Sequence, residues 1–233
     1  MRCRLYPRLL SFVRRRNGAS SVEFAFIGPV LVLLLLAGLD TGTYVLATQR
    51  VQAVANSVAE MLSQTDAAVS PITPVYKGDG VVQDSDLHYY YDSAMATYPD
   101  VLAVANNTGT FWWQLLDVQM ASIKFKASPT GCTSSCTYTP TVIWSTGART
   151  CGLTITAAPD TNTYNPATMP TDVFGPGSLI VVDVTYTFTP TFGAAFLPTI
   201  PIERSAYMSP RNVPFVESQS TSMAPPCAGV TFP

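Results

Sequence analysis

The position of the chain relative to a membrane is decided by residues 14–40, RRRNGASSVEFAFIGPVLVLLLLAGLD. Its apolar run, 24–39, holds 16 residues without a charge. A helix of that length covers about 24 Å, a little less than a hydrocarbon core of about 30 Å. Because uncharged neighbours lengthen the run, the stretch predicts a transmembrane segment over residues 22–44. Glu23 and Asp40 then lie near its two interfaces, since a carboxylate within lipid costs free energy.

The charge of the chain is distributed unevenly about this segment. Residues 2–16 hold six of the 13 Lys/Arg residues, and no acidic residue precedes Glu23. From residue 19 onward seven Lys/Arg stand against 15 Asp/Glu, which gives 7 − 15 = −8. Arginines directly before an apolar run are typical of the cytoplasmic flank of a membrane segment. The alternative for this basic head is a nucleic-acid contact, which the acidic remainder of the chain disfavours, so we expect no nucleic acid as a partner.

The helical pattern continues beyond the membrane segment. From Val45 onward apolar residues recur at steps of three and four with polar residues between them, which indicates an amphipathic helix. The pattern therefore predicts one helix over residues 19–64, about 65 Å long, with Pro29 bending its membrane half. The second half lays its apolar stripe either on partner subunits or on the chain's own sheet.

A cleaved signal peptide is an alternative interpretation of the same N-terminus. Val45, Leu46 and Ala47 would suit a signal peptidase, and the released chain would begin at Thr48. Asp40 separates that site from the apolar core, and a signal peptide needs no amphipathic helix behind it. Both features favour the membrane segment over the signal peptide.

The segment NGASSVEFAFIGPVLVLLLLAGLDTGTYV, 17–45, resembles type IV pilin-like proteins, and most of all the TadE/TadG-like minor pseudopilins of tight-adherence (Tad) pili. In that family a basic leader ends in Gly, and a Glu stands at the start of an apolar run. The resemblance implies that prepilin peptidase cuts after Gly18. Residues 1–18 are then the leader peptide, Ala19 is the first mature residue, and Glu23 is the fifth.

The resemblance also implies partners and a location. The partners are other pilins and pseudopilins through the N-terminal helix, prepilin peptidase, the pilus assembly platform and membrane lipid. The precursor is expected in a bacterial inner membrane with its N-terminus cytoplasmic and its body periplasmic, and at the cell surface or in the pilus after assembly. The stretches SLIVVDVTYTFTPTFGAAFL, 178–197, and IERSAYMSPR, 202–211, also resemble the last strands of TadE-like proteins.

Glu23 and Asp40, the carboxylates near the ends of the membrane segment, are the predicted assembly residues. Cleavage would leave an α-ammonium on Ala19, and opposite charges attract more strongly near apolar surroundings than in water. We hypothesise that Glu23 pairs with the Ala19 ammonium of an adjacent subunit, while Asp40 matches a later acidic position of the family. The alternative is that Glu23 is a helix-start acid favoured by the helix dipole.

Four of the five cysteines lie in the predicted exported region. Cys132, Cys136, Cys151 and Cys227 are an even number, which suits two disulfides in an oxidising compartment, whereas Cys3 lies in the basic head. Three pairings are possible, and closeness in sequence favours Cys132 or Cys136 with Cys151. A zinc site is the alternative, because the first two have ligand-like spacing.

Residues 65–233 are predicted to form an exported α+β body. Alternation over 179–189 predicts a β-strand with one buried face. Similar patterns predict strands over 121–127, 138–146 and 200–208, with Trp144 in the core. Short connections predict antiparallel pairing, and the sheet can pack on the amphipathic half of the long helix.

The segments between these strands are less regular. Ser85 is expected to cap a short helix over residues 86–97. Two Thr-, Pro- and Asn-rich stretches, 128–141 and 157–178, are expected to be loops. The aromatic triplets Tyr89–Tyr91 and Phe111–Trp113 are interpreted as buried core or sheet edge, with exposed binding patches as the alternative.

The sequence contains no recognisable catalytic motif. His88 is the only histidine, and no nucleophile elbow, zinc-protease motif or P-loop occurs. We therefore expect no enzyme activity, no cofactor and no metal. Clustered carboxylates would suit calcium, but their spacing departs from the EF-hand loop, and a solvated loop is favoured. The four in question are Asp79, Asp84, Asp86 and Asp92.

These observations predict a minor pseudopilin, a structural subunit that takes part in the assembly, initiation or surface adhesion of a Tad-type pilus. The alternative is a single-pass membrane-anchored binding or adhesion protein that keeps its N-terminus. A third class is a secreted enzyme released by cleavage after Ala47. The identity of the first mature residue separates the three classes.

Overall fold

The first element is one long helix, α1, Asn17–Ser63, of 47 residues. It belongs to a computed structural model that describes residues 17–67, 79–160, 164–220 and 222–227. Pro29 lies inside the helix without ending it. The prediction of one long N-terminal helix is confirmed, with its first residue two positions earlier than expected. The helix ends in turns of the i→i+3 type, from Gln64 N–H to Met61 and from Thr65 N–H to Leu62.

The chain divides into two units, and the division falls within α1. The first unit comprises residues 1–46 and 189–199. The second, which we call the body, comprises residues 47–188 and 200–233. The first unit therefore joins the apolar half of the helix to a segment that follows it by about 150 residues in the chain.

A four-stranded antiparallel sheet forms the centre of the body, in the order β3-β2-β6-β7. The two central strands pair over a long register that includes Val118 opposite Val184. The strands are β2 (Leu116–Ser128), β3 (Thr137–Ser145), β6 (Ser178–Phe188) and β7 (Ile200–Met208). The predicted α+β class with an antiparallel sheet is confirmed, and Trp144 is fully buried as expected.

Strand β6 is buried on both faces, so the prediction of one buried face is wrong. Val182 and Val184 are buried on one side, and Val181 and Asp183 are buried on the other. The side of Val181 is covered by the long connection between β3 and β6, which supplies Ile155 to a shared apolar cluster. Because a distant segment provides this cover, the strand's own alternation does not report it.

The second half of α1 lies on the opposite side of the sheet. The helix stripe is fully buried, and it comprises Val51, Val54, Ala55, Val58, Ala59 and Leu62. Tyr98 links the two elements: its ring centroid lies 5.2 Å from that of Tyr186 on β6, and the Arg50 guanidinium carbon lies 5.5 Å from the Tyr98 centroid. This half of the helix therefore packs within its own body.

The shorter elements surround the sheet. Helices α2 (Asp84–Thr97), α3 (Asp100–Thr108) and α4 (Trp112–Leu115) precede β2. Two-stranded parallel pairs are formed by β1 (Gly80–Val82) with β8 (Val216–Ser218), and by β4 (Thr156–Ala158) with β5 (Thr168–Pro170). Short 3₁₀ turns follow at Thr171–Val173 and Gly193–Ala195.

Two local predictions need correction. The cap of α2 is Gln83 and not Ser85, because the Asp86 carboxylate accepts the backbone N–H of Gln83 at 3.0 Å and starts the helix earlier. The stretches predicted as loops contain the start of β3, most of β4 and all of β5, because the start of β3 pairs with the end of β2 and β4 pairs with β5.

The four body cysteines form two disulfides, Cys132–Cys136 and Cys151–Cys227. The favoured pairing of Cys151 with one of the first two is wrong. Cys132 and Cys136 close a tight loop between β2 and β3, and this leaves Cys151 for the buried Cys227. With all four sulfur atoms in disulfides, the alternative zinc site is not formed.

Candidate assembly and membrane-contact site

The half of α1 that precedes Ala47 has an apolar surface that is open to the surroundings. Phe24 is 72% exposed and Phe26 is 76% exposed, and most large apolar side chains up to Leu46 are about half exposed or more. In the described part of the chain this is the one helix long and apolar enough to cross a membrane, and its most apolar 18 residues have a mean hydropathy of 2.4. Such a surface is covered by lipid or by other apolar helices.

The predicted processing site lies at the start of this helix. Gly18 and Ala19 belong to the first turn of α1, and Glu23 follows about one turn later. The Glu23 side chain is exposed. Three ion pairs occur among the described residues, and none of them includes Glu23. Cleavage after Gly18 and intersubunit pairing by Glu23 stay predictions.

Asp40 has partners that the sequence did not reveal. Its carboxylate accepts hydrogen bonds from three successive backbone N–H groups, at 3.0 Å from Thr191, 3.2 Å from Phe192 and 2.7 Å from Gly193. Successive N–H groups at the start of a tight turn form a natural cradle for an anion. The carboxylate therefore ties the helix to the connection between β6 and β7, residues 189–199.

We call residues 189–199 the tether loop. Its sequence, TPTFGAAFLPT, contains no charged residue. It forms a 3₁₀ turn in which the N–H groups of Phe196 and Leu197 both donate to the Gly193 carbonyl, at 2.9 and 2.8 Å. Three of its apolar side chains are largely exposed, namely Phe192 at 50%, Phe196 at 87% and Leu197 at 53%.

Gly193 allows the close approach between the tether loop and the helix. A Cβ atom at this position would lie 3.1 Å from Asp40 Oδ2 and 3.1 Å from Leu197 Cδ1. Either neighbour would have to move to accept a side chain. The loop thus combines a glycine at the contact with apolar side chains that are largely exposed.

A buried ion pair stabilises the body. Arg149 and Asp183 are 2% and 4% exposed, and Arg149 Nε lies 2.6 Å from Asp183 Oδ2. Arg149 also donates to the carbonyls of Pro166 and Thr168, so it fastens the long β3–β6 connection to the sheet. The sequence contained a signal for this pair, because Asp183 is the one charge in an otherwise uncharged strand.

Two of the four aspartates near His88, Asp84 and Asp86, accept hydrogen bonds within the body. Asp84 accepts the hydroxyl groups of Ser220 and Ser222, and these hydrogen bonds hold the pKa of Asp84 below its ordinary value. Burial raises the pKa of Asp79. Among the described residues no three His, Cys, Asp or Glu side chains are grouped to hold a metal ion. His88 itself is exposed on α2.

The aromatic triplets are only partly buried, and the favoured interpretation is wrong for Tyr89, Phe111 and Trp113, which are exposed. Phe111 and Trp113 are 60% and 46% exposed and stack on each other, with ring centroids 4.4 Å apart. Trp112, which lies between them in the sequence, contacts Tyr91, and the two ring centroids are 5.0 Å apart. The single turn of α4 places its two neighbours on the outside.

Comparison with known proteins addresses the N-terminal segment. Residues 18–60 match the family model described as TadE-like protein. No curated protein and no solved structure matches the chain. The matched range begins at the predicted cleavage site, contains Glu23 and Asp40, and covers under a fifth of the 233 residues. It confirms the resemblance seen in the sequence and indicates a function related to Tad pili. Over residues 18–60, from Gly18 through Glu23 and Asp40 into the buried stripe of α1, this chain is similar to TadE-like proteins.

Proposed function

We propose that the protein is a minor pseudopilin, made as a membrane precursor, cleaved by prepilin peptidase after Gly18, and taken into a Tad-type pilus. One observation carries the proposal. The TadE-like segment coincides with a helix whose first half is apolar and exposed and whose second half is buried in the body. A subunit of this kind needs lipid around its helix before assembly and the helices of other subunits after it.

The proposed role is structural. The exposed helix half binds neighbouring subunits, and the body supplies the surface for assembly, initiation or adhesion. The body holds its own sheet, its buried ion pair and its two disulfides, and it buries the second half of α1 as well. It therefore does not need a partner's helix to complete its core.

The first mature residue tests the proposal. Mass spectrometry of the N-terminal peptide, from both the membrane fraction and sheared pili, should identify Ala19. Met1 would instead support a membrane-anchored binding or adhesion protein, and Thr48 would support a secreted protein. Either result overturns the proposed processing.

A matched variant strengthens this test. Gly18→Leu places a bulky side chain beside the expected scissile bond and leaves the rest of the chain unchanged. We expect this variant to keep Met1, to remain in the membrane and to be absent from pili. If Gly18→Leu is cut as the unaltered protein is, the peptidase acts elsewhere and the processing site is wrong.

A further inference from the structure

We propose that the tether loop is a membrane contact: Phe192, Phe196 and Leu197 insert into the lipid interface at the end of the transmembrane segment, and Asp40 holds the loop there. The proposal rests on the proposed function in one respect, that the apolar half of α1 spans a bilayer. Its partner is a phospholipid surface.

The position of Asp40 sets the depth of the loop. Asp40 follows directly on the uncharged run 24–39, and lipid does not solvate a carboxylate. The residue therefore lies where the helix leaves the hydrocarbon core. Because Asp40 accepts the N–H groups of residues 191–193, the tether loop lies at the same level. The loop thus meets the interface beside the helix that crosses it.

The composition of the loop suits that position. Phe196 is 87% exposed, more than any other large apolar side chain in the described part of the chain. Aromatic and aliphatic side chains beside a membrane segment gain free energy by entering the interface. The loop carries no charge that would have to be desolvated. Its backbone is also preordered by the turn at Gly193, which lowers the entropy lost on insertion.

The charge of Asp40 is offset by the same contact. Three N–H donors replace water around a carboxylate that lies next to lipid, and hydrogen bonds to an ionised acceptor are the strong ones. The helix and the loop therefore support each other: the loop satisfies the carboxylate, and the carboxylate holds the loop against the membrane.

Spin-label accessibility in vesicles tests the proposal. The full chain, in a Cys3→Ser background that leaves no thiol outside the two disulfides, is reconstituted at low density in phosphatidylcholine/phosphatidylglycerol vesicles. Single cysteines are introduced by Phe196→Cys, Leu35→Cys and Ala103→Cys and labelled with a nitroxide. Collision rates with oxygen, which concentrates in lipid, and with a water-soluble nickel chelate are then compared.

Leu35 lies in the transmembrane segment, and Ala103 is an exposed residue of α3 in the body. We expect the oxygen-to-nickel ratio at position 196 to lie below that at position 35, because the interface is shallower than the hydrocarbon core, and to exceed that at position 103 severalfold. A ratio at position 196 equal to that at position 103, with position 35 in lipid, would overturn the loop contact and leave the transmembrane segment intact. A low ratio at position 35 would overturn the transmembrane segment itself.

Two further outcomes are informative. Low collision rates with both reagents at position 196 would mean that protein covers the loop, which overturns the lipid contact in favour of a second copy of the chain.

Asp40→Asn, added to the Phe196→Cys chain, should lower the oxygen-to-nickel ratio at position 196 severalfold, because the amide presents its own N–H groups to the loop donors. The ratio at position 35 should stay unchanged. An unaltered ratio at position 196 would overturn the role of Asp40.

Discussion

The carboxylates near the two ends of the apolar helix half differ in their surroundings. Asp40 accepts three N–H groups of its own chain, whereas Glu23 is exposed and takes part in none of the ion pairs among the described residues. A carboxylate satisfied within one subunit has a local structural role. An exposed carboxylate next to an apolar surface is the better candidate for a charge that a neighbouring subunit compensates.

Glu23→Gln tests that assignment. We expect normal processing and a severalfold loss from pili, because the neutral amide does not compensate the α-ammonium of Ala19. The measurement is an immunoblot of sheared pili against the membrane fraction. Glu60→Gln is the control on the same helix: it loses an exposed ion pair with Arg211, of about 0–1 kcal/mol, and should enter pili normally. Unchanged incorporation of Glu23→Gln would rule out the pairing hypothesis.

The Arg149–Asp183 pair gives a prediction for stability. Arg149→Met leaves Asp183 buried without its cation, and we expect a loss of about 3–5 kcal/mol in the free energy of unfolding. Arg211→Met removes an exposed partner of Glu60 and should cost about 0–1 kcal/mol. Guanidinium unfolding of the protein in detergent measures both. Equal losses would mean that burial does not distinguish the two pairs.

Among the elements, those with a strong internal pattern were predictable. Residues 200–208 form a strand with the expected bounds, and α1 follows from its continuous helical stripe. The second buried face of β6 was missed because it comes from Ile155 and its neighbours, which are distant in sequence. The start of α2 was missed for a local reason, because the Asp86 carboxylate accepts the backbone N–H of Gln83 and begins the helix before Ser85.

The candidate site was predictable in part for the same reason. Residues 18–60 carry a local pattern, and their TadE-like character was visible in the sequence. The contact of Asp40 with Thr191 joins residues 151 positions apart. Nothing in the stretch around Asp40 indicates that partner, and nothing in the uncharged tether loop indicates an anion. The Cys151–Cys227 pairing escaped prediction likewise, because its residues are 76 positions apart.

The two disulfides should differ in their contribution to stability. The chain-entropy estimate gives about 4 kcal/mol for the loop closed by Cys151 and Cys227 and about 2 kcal/mol for that closed by Cys132 and Cys136, whose separations are 76 and 4. Replacing each pair by serine and measuring the midpoint of guanidinium unfolding compares them. A larger loss for the Cys132/Cys136 double variant would contradict the loop-length argument.

At the scale of the whole molecule, charge separates the ends of the chain. The basic head carries six arginines before the apolar run, and the remainder is acidic with a balance of 7 − 15 = −8. This asymmetry is the proposed basis for the orientation of the precursor, with the head in the cytoplasm and the body outside.

Removing the charge next to the membrane tests this orientation. Replacing Arg14, Arg15 and Arg16 by Asn should lower the exported fraction of the body, because the head no longer resists translocation. Protease digestion of intact spheroplasts measures the exported fraction through loss of an epitope in the body. Replacing Arg204 and Arg211 by Asn is the control, since both lie in the body far from the membrane segment in sequence. Equal export in all variants would mean that the arginines do not orient the chain.

The contact between Asp40 and the tether loop also orders events in time. A ribosome that adds about 5–20 residues per second needs about 8–30 s to make the 151 residues between Asp40 and Thr191. During that interval the N-terminal helix exists without the loop that later holds it. An enzyme that acts on the new N-terminus at this stage meets a helix whose Asp40 has not yet bound the loop, whereas after the loop arrives the Asp40 carboxylate accepts the N–H groups of residues 191–193.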